Sequence, residues 1–318
     1  MRQGKYSIST EFGILMAVIG LGVILAGVLQ MLILQPFLAP DASADSINAE
    51  ALRVLSDPAN AGLARLSQAL GAVCIFLIPS VLFIFITRGY HPVWFGFSGK
   101  AGFLQFVAAF AILFCANLIT APLDHTVGIM VQKSAALSKM AGNMEDLYEQ
   151  NLQLLGSFHS ASDWILTIAL MALLPALAEE LFFRSVVQQS LTRWWGNPLA
   201  SIIATAVLFS LIHFSILLFA GRAVLGIALG IIFHYTGNIW INIGAHFFNN
   251  AIAIVQLYLI VKENKPYETT AFNPPEDYIF ALLALGAVFF LLSKLKSMSA
   301  PLKASIIEVK ERLEASTK

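Results

Sequence analysis

Successive apolar runs, most of them about twenty residues long, dominate this sequence and leave it few ways to fold. A helix needs about 20 residues to cross roughly 30 Å of hydrocarbon. The clear runs are Gly13–Phe37, Ala69–Thr87, Gly102–Ala121, Trp164–Ala178, Pro198–Ala220, Ile239–Val261 and Tyr278–Leu292. An eighth, Ala223–Tyr235, is short and follows the Gly221-Arg222 break, so it reads as a steep or re-entrant segment. The Trp164 run is also short, but its helix can continue through Glu179, Glu180 and Arg184 toward Leu191. Composition agrees: 58% of residues are hydrophobic and 12% charged, about half the charged share of a soluble domain. The expectation is an all-α polytopic membrane protein with about eight transmembrane helices, forming one domain.

Several function classes drop out. Net charge is zero, so no nucleic-acid partner is expected. Cys74 and Cys115 both sit in apolar runs and read as small hydrophobes, with no disulfide framework or metal motif. Arg2 and Lys5 precede the first run, and Ala42-Ser43-Ala44 resembles a signal-peptidase site. At about 24 residues the run exceeds a usual signal core, and it reads as a retained first span.

Lysine and arginine set the expected orientation. With a cytoplasmic N-terminus and eight crossings, twelve of the 19 fall inside and seven outside: Arg53, Arg65, Lys133, Lys139, Arg222, Lys262 and Lys265. That bias favours cytoplasmic N- and C-termini, and the acidic outer loop 262–277 is consistent with it. The outer segments 38–68 and 122–162 carry periodic apolar residues (Leu52, Leu55, Leu63, Leu66 in the first) and read as amphipathic helices over the outer face. Ser305–Lys318 reads as a short cytoplasmic helix.

Ionisable groups in hydrocarbon cost about 2.5–3.5 kcal/mol each on insertion scales and are functional candidates by default. Few survive that screen: Glu179, Glu180 and Arg184 in the fourth run, His213 in the fifth, and His246, Asn249 and Asn250 in the seventh. At 100° per residue Glu180 and Arg184 pair on one face, leaving Glu179 unpaired and pointing elsewhere. Phe209 and His213 share a face by the same spacing, as do His246 and Asn250. If these faces converge, they form a polar pocket walled by Phe182, Phe183, Phe209, Phe247 and Phe248. A carboxylate in apolar surroundings holds a proton more tightly and becomes a competent general base for water. An imidazole can hold that water, while a second imidazole and an amide donate to the oxyanion of a scissile carbonyl. The alternative chemistry sets Glu179, His213 and His246 around Zn²⁺ with an open water position. Each group alone has a bland reading as a helix–helix hydrogen-bond partner; three helices burying such groups together point to a site. The remaining histidines, His91, His125, His159 and His234, read as solvated groups in loops or at interfaces.

At these residues the chain resembles the CAAX-processing and bacteriocin-processing family of intramembrane proteases, which includes the prenyl-protein endopeptidases. The motif Glu-Glu-x-x-x-Arg matches Glu179-Glu180-Leu181-Phe182-Phe183-Arg184, Phe-x-x-x-His matches Phe209 to His213, and His-x-x-x-Asn matches His246 to Asn250. The likeness covers roughly residues 164–255. It implies that Glu179 activates water beside His213, that His246 and Asn250 stabilise the oxyanion, and that Glu180 and Arg184 support them. No cofactor is expected, because asparagine is a poor zinc ligand and a good oxyanion donor; Zn is the alternative. On this reading the chain divides into N-terminal helices with amphipathic outer loops (1–162), a catalytic helical core (163–261), and a last helix with its cytoplasmic tail (262–318). Glu179 and His246 should lie near the cytoplasmic ends of their spans, with His213 nearer the midplane.

The expected function is an intramembrane endopeptidase acting on a peptide or protein, with membrane lipid as its surroundings. Because the family also includes bacteriocin-immunity and membrane-protein assembly factors, a non-catalytic role on the same scaffold is the alternative. A transporter using the buried Glu as a relay is a third reading, but the Gly/Pro-broken paired repeats of such folds are missing.

Overall fold

A peptide group in hydrocarbon has no water to bond, so each apolar run must satisfy its backbone internally, and helix does that within one segment. A computed structural model describes residues 5–39, 44–99, 101–155, 161–262 and 276–316, and among them there is no strand. Seven helices are long and apolar enough to cross a membrane. In chain order the helices are α1 (Ile8–Leu34), α2 (Ala44–Leu55), α3 (Ala61–Thr87), α4 (Phe103–Gln132), α5 (Ala135–Leu155), α6 (Ser162–Trp195), α7 (Pro198–Leu211), α8 (Phe219–Thr236), α9 (Ile239–Lys262) and α10 (Glu276–Ser316). The expected all-α membrane architecture is therefore present, as seven spanning helices and the shorter α7.

Two of the expected boundaries are reversed. The Ala223–Tyr235 segment is no fragment: α8 runs unbroken through Gly221 and Arg222 for 18 residues. The run expected from Pro198 to Ala220 instead stops at Leu211 after 14 residues, about 21 Å of helix and too short to cross alone. Beyond it the chain turns through Phe214, whose φ is 47°, and Ser210 Oγ ties the turn by donating to Phe219 O. The tail is likewise no separate helix. Ser305 onward continues α10, which is 41 residues long. Residues 122–132 belong to α4, so only α5 remains of the second outer segment. His159, most of the acidic outer loop, and Ala42 and Ser43 of the resembled cleavage site lie outside the described residues.

The core is built from small and branched residues. Ala108, Ala109 and Ile112 of α4 pack with Ala228, Leu229 and Ile232 of α8, Ile241 and Ala245 of α9, and Leu295 of α10. Gly226 and Gly230 of α8 face Ala206 and Ile202 of α7 closely enough that a Cβ on either would collide. This is small-residue packing of the kind that lets membrane helices approach without a hydrophobic driving force. Outward, α1 and α10 expose Phe12, Ile24, Leu282, Leu283 and Phe289, the surface a lipid phase would cover.

Helix α6 positions the site. It widens into π-helical turns at Ile168–Leu173 and Leu181–Gln188, on either side of Glu179 and Glu180. The first ends just before Pro175, as a π turn of α3 at Val73–Leu77 ends before Pro79. Proline lacks an N–H and its ring would strike the carbonyl four residues back; a widened turn relieves both. The end of the bundle near Trp195 is sealed by the segment after α3. Phe95 is buried there, Phe97 stacks on Trp240 at 4.8 Å, and Ile239 N–H donates to Gly96 O. Ser185 and Asn238 side chains donate to Phe95 O and Ser98 O.

Candidate active site

Docking of α6 against α9 creates a buried polar network. Arg184 Nε donates to Glu180 Oε2 at 3.1 Å, and neither side chain is exposed. The expected i,i+4 pair is thus formed, but it is not isolated. Asn242 Nδ2 donates to the same oxygen at 3.0 Å and also to Leu229 O at 2.8 Å. The other oxygen, Oε1, takes the Nδ1–H of His246 at 3.0 Å. Glu180 therefore fixes the ring of His246, as a buried carboxylate orients an imidazole in hydrolytic triads. The Nε2 side of that ring faces Glu179, with 3.9 Å to Oε2. That is too long for a direct hydrogen bond and leaves a gap a single water can bridge.

Glu179, His213, His246 and Asn250 all line one cavity of about 620 Å³. The four expected catalytic residues, drawn from α6, the turn after α7 and α9, therefore share one space. His213 lies in the turn after α7, where its Nδ1–H donates to Phe209 O at 2.7 Å, so its Nε2 is an acceptor. Phe209 supports three groups: its ring lies 4.9 Å from that of His213, 6.0 Å from that of His246 and 5.5 Å from the Arg184 guanidinium. Depth differs from expectation. Glu179 is near the middle of α6 rather than at an end, because α6 is 34 residues long. The short α7 brings His213 to the same cavity.

The phenylalanine wall is also different. Of the five expected, Phe209 lines the cavity, accompanied by Phe76 of α3. Phe182 and Phe183 pack with Val187 behind it, and Phe248 turns toward Phe106 and Phe110 of α4. Asn249 also lines the cavity and accepts from Asn117 Nδ2 at 2.6 Å. Two residues of the cavity region were missed from sequence. Asn242 sits one turn before His246, and that spacing signals it. Arg222, a cavity-lining cation whose guanidinium stacks 5.2 Å from the Tyr148 ring, lies in α8 and not in the outer loop that the charge pattern suggests. Of the histidines expected to be solvated, His91 is exposed and its Nδ1 accepts from Val93 N–H. His125 and His234 are half-buried within α4 and α8.

Among the described residues no three His, Cys, Asp or Glu side chains form a group that could hold a metal ion. Glu179, His213 and His246 are thus not gathered into a metal-ligand group in this arrangement.

The sequence of α6 to α9 matches a known family. Residues 161–252 match the family of type II CAAX prenyl endopeptidases, Rce1-like. The matched stretch runs from α6 into α9 and contains all three motifs. Over it the chain is similar to membrane endopeptidases of the CAAX type. Among curated proteins and among solved structures, none matches the chain significantly.

Proposed function

We propose that the protein is an intramembrane endopeptidase in which Glu179 activates a water molecule inside the helix bundle. What carries this reading is the meeting of Glu179, His213, His246 and Asn250 in one cavity, with Glu180 already committed to Arg184, Asn242 and His246. Among the described residues Glu179 has no direct hydrogen bond to a neighbour, its approach to His246 being 3.9 Å, and it is the carboxylate available as a base. The reaction consumes one water and one peptide bond. Glu179 takes a proton from water as the oxygen attacks the carbonyl carbon, and passes it to the departing amine as the C–N bond breaks. His213 Nε2 accepts from the same water and steers its lone pair. Asn250 Nδ2 and His246 Nε2–H, when that ring carries both protons against the Glu180 carboxylate, stabilise the oxyanion.

The test is Glu179→Gln in purified, liposome-reconstituted protein, assayed with a library of quenched fluorescent peptides. Cleavage should fall by about 10²–10⁴-fold, with the thermal unfolding midpoint close to that of the wild type. A Glu179→Gln protein that cleaves as fast as wild type rejects the mechanism.

A further inference from the structure

We infer that the cavity opens on the extracytoplasmic side, so that its substrates are peptide segments exposed outside the cytoplasm; the substrate part rests on the peptidase reading above, the sidedness does not. The direction of the mouth follows from chain alternation. Most lining residues come from the first halves of α3 (Gln68), α6 (Thr167 to Glu179) and α8 (Arg222), from the second half of α9 (to Leu257), from α5 (Tyr148) and from the turn after α7 (His213), while Leu113 of α4, Leu229 of α8 and His246 of α9 form the floor near mid-span. Consecutive spans run in opposite directions, so these halves share one end of the bundle. Both described chain ends lie at the other. Lys5 Nζ reaches Ile86 O at the end of α3, and Glu11 accepts from Trp194 at the end of α6. On α10, Lys303 Nζ donates to His234 O near the end of α8, and Lys310 Nζ to Gln189.

Charge then assigns the sides. Setting aside Arg65 and Arg184, which are buried, and Arg222 in the cavity, the described lysines and arginines divide unequally. Eight lie toward the sealed end, among them Lys5, Arg88, Lys303 and Lys310, against four toward the mouth, Arg53, Lys133, Lys139 and Lys262. Positive charge stays on the cytoplasmic face during insertion, which puts the sealed end in the cytoplasm and the mouth outside. A cytoplasmic protein tail, prenylated or not, would meet the sealed end. A secreted peptide or the outer segment of a membrane protein would meet Tyr148, Arg222 and then Glu179.

The experiment is side-specific cysteine labelling of the full chain in intact cells, with Cys74 and Cys115 replaced by alanine. Single cysteines report the cavity (Ala253→Cys), the mouth end (Lys139→Cys) and the sealed end (Arg312→Cys). A membrane-impermeant maleimide should label Lys139→Cys and, more slowly, Ala253→Cys in intact cells, and Arg312→Cys only after permeabilisation. If Lys139→Cys is protected until permeabilisation, or labels on the same side as Arg312→Cys, the inference is wrong. Labelling needs no turnover, so either answer is obtained even from a chain that cleaves nothing.

Discussion

Glu180 has three side-chain partners within 3.1 Å and no exposure to solvent. Removing the cation alone leaves that carboxylate buried and uncompensated, so Arg184→Met should cost about 3–5 kcal/mol of stability, read as a lowered unfolding midpoint in detergent. Replacing both members, Glu180→Leu with Arg184→Met, should restore only part of that stability, because the apolar pair substitutes for the buried ion pair while His246 Nδ1–H is left without its acceptor. It should not restore cleavage, since His246 would then lack the acceptor that orients it. Recovery of both together would show that Glu180 acts only in packing. The Glu180–Arg184 contact was legible in the sequence because one helical turn separates its members. The Glu180–His246 contact was not: 66 residues intervene, and only the docking of α6 on α9 brings them together.

Elements were misjudged where one helix depends on another for its end. Gly221-Arg222 looked like a break because a glycine and a charge interrupt an apolar run. In the fold, Asp124 of α4 accepts from Gly221 N–H at 2.8 Å, in the first turn of α8, where Leu218 provides no side-chain cap. The carboxylate does from a neighbouring helix what an N-cap residue does locally. Arg222 meanwhile lines the cavity, where its guanidinium reaches His213 O and the Tyr148 ring. Asp124→Ala should therefore destabilise by about 1 kcal/mol, with Asp124→Asn milder. Hydrogen exchange of the amides at 219–222 should rise selectively in the alanine variant; unchanged exchange there would remove Asp124 from the role. The π-helical turns of α6 were equally invisible, because hydropathy counts residues without registering an extra one in a turn.

At the scale of the molecule, the fold class was legible because a chain with so few charges has too little polar surface to coat a soluble globule. The assembly of four separated polar residues into one space was only partly so: periodicity named the faces, and tertiary packing alone made them converge. That assembly also has an electrical consequence. Water admitted as far as Glu179 shortens the insulating path, so most of the voltage across the protein must drop over the packed half, where the buried rings of Phe95 and Phe233 close the way to water. Those rings would then guard the ion gradient as much as the fold. Phe95→Ala combined with Phe233→Ala should speed collapse of a pH gradient in proteoliposomes, whereas Tyr90→Ala, which trims a ring 83% exposed, should leave the decay at the wild-type rate.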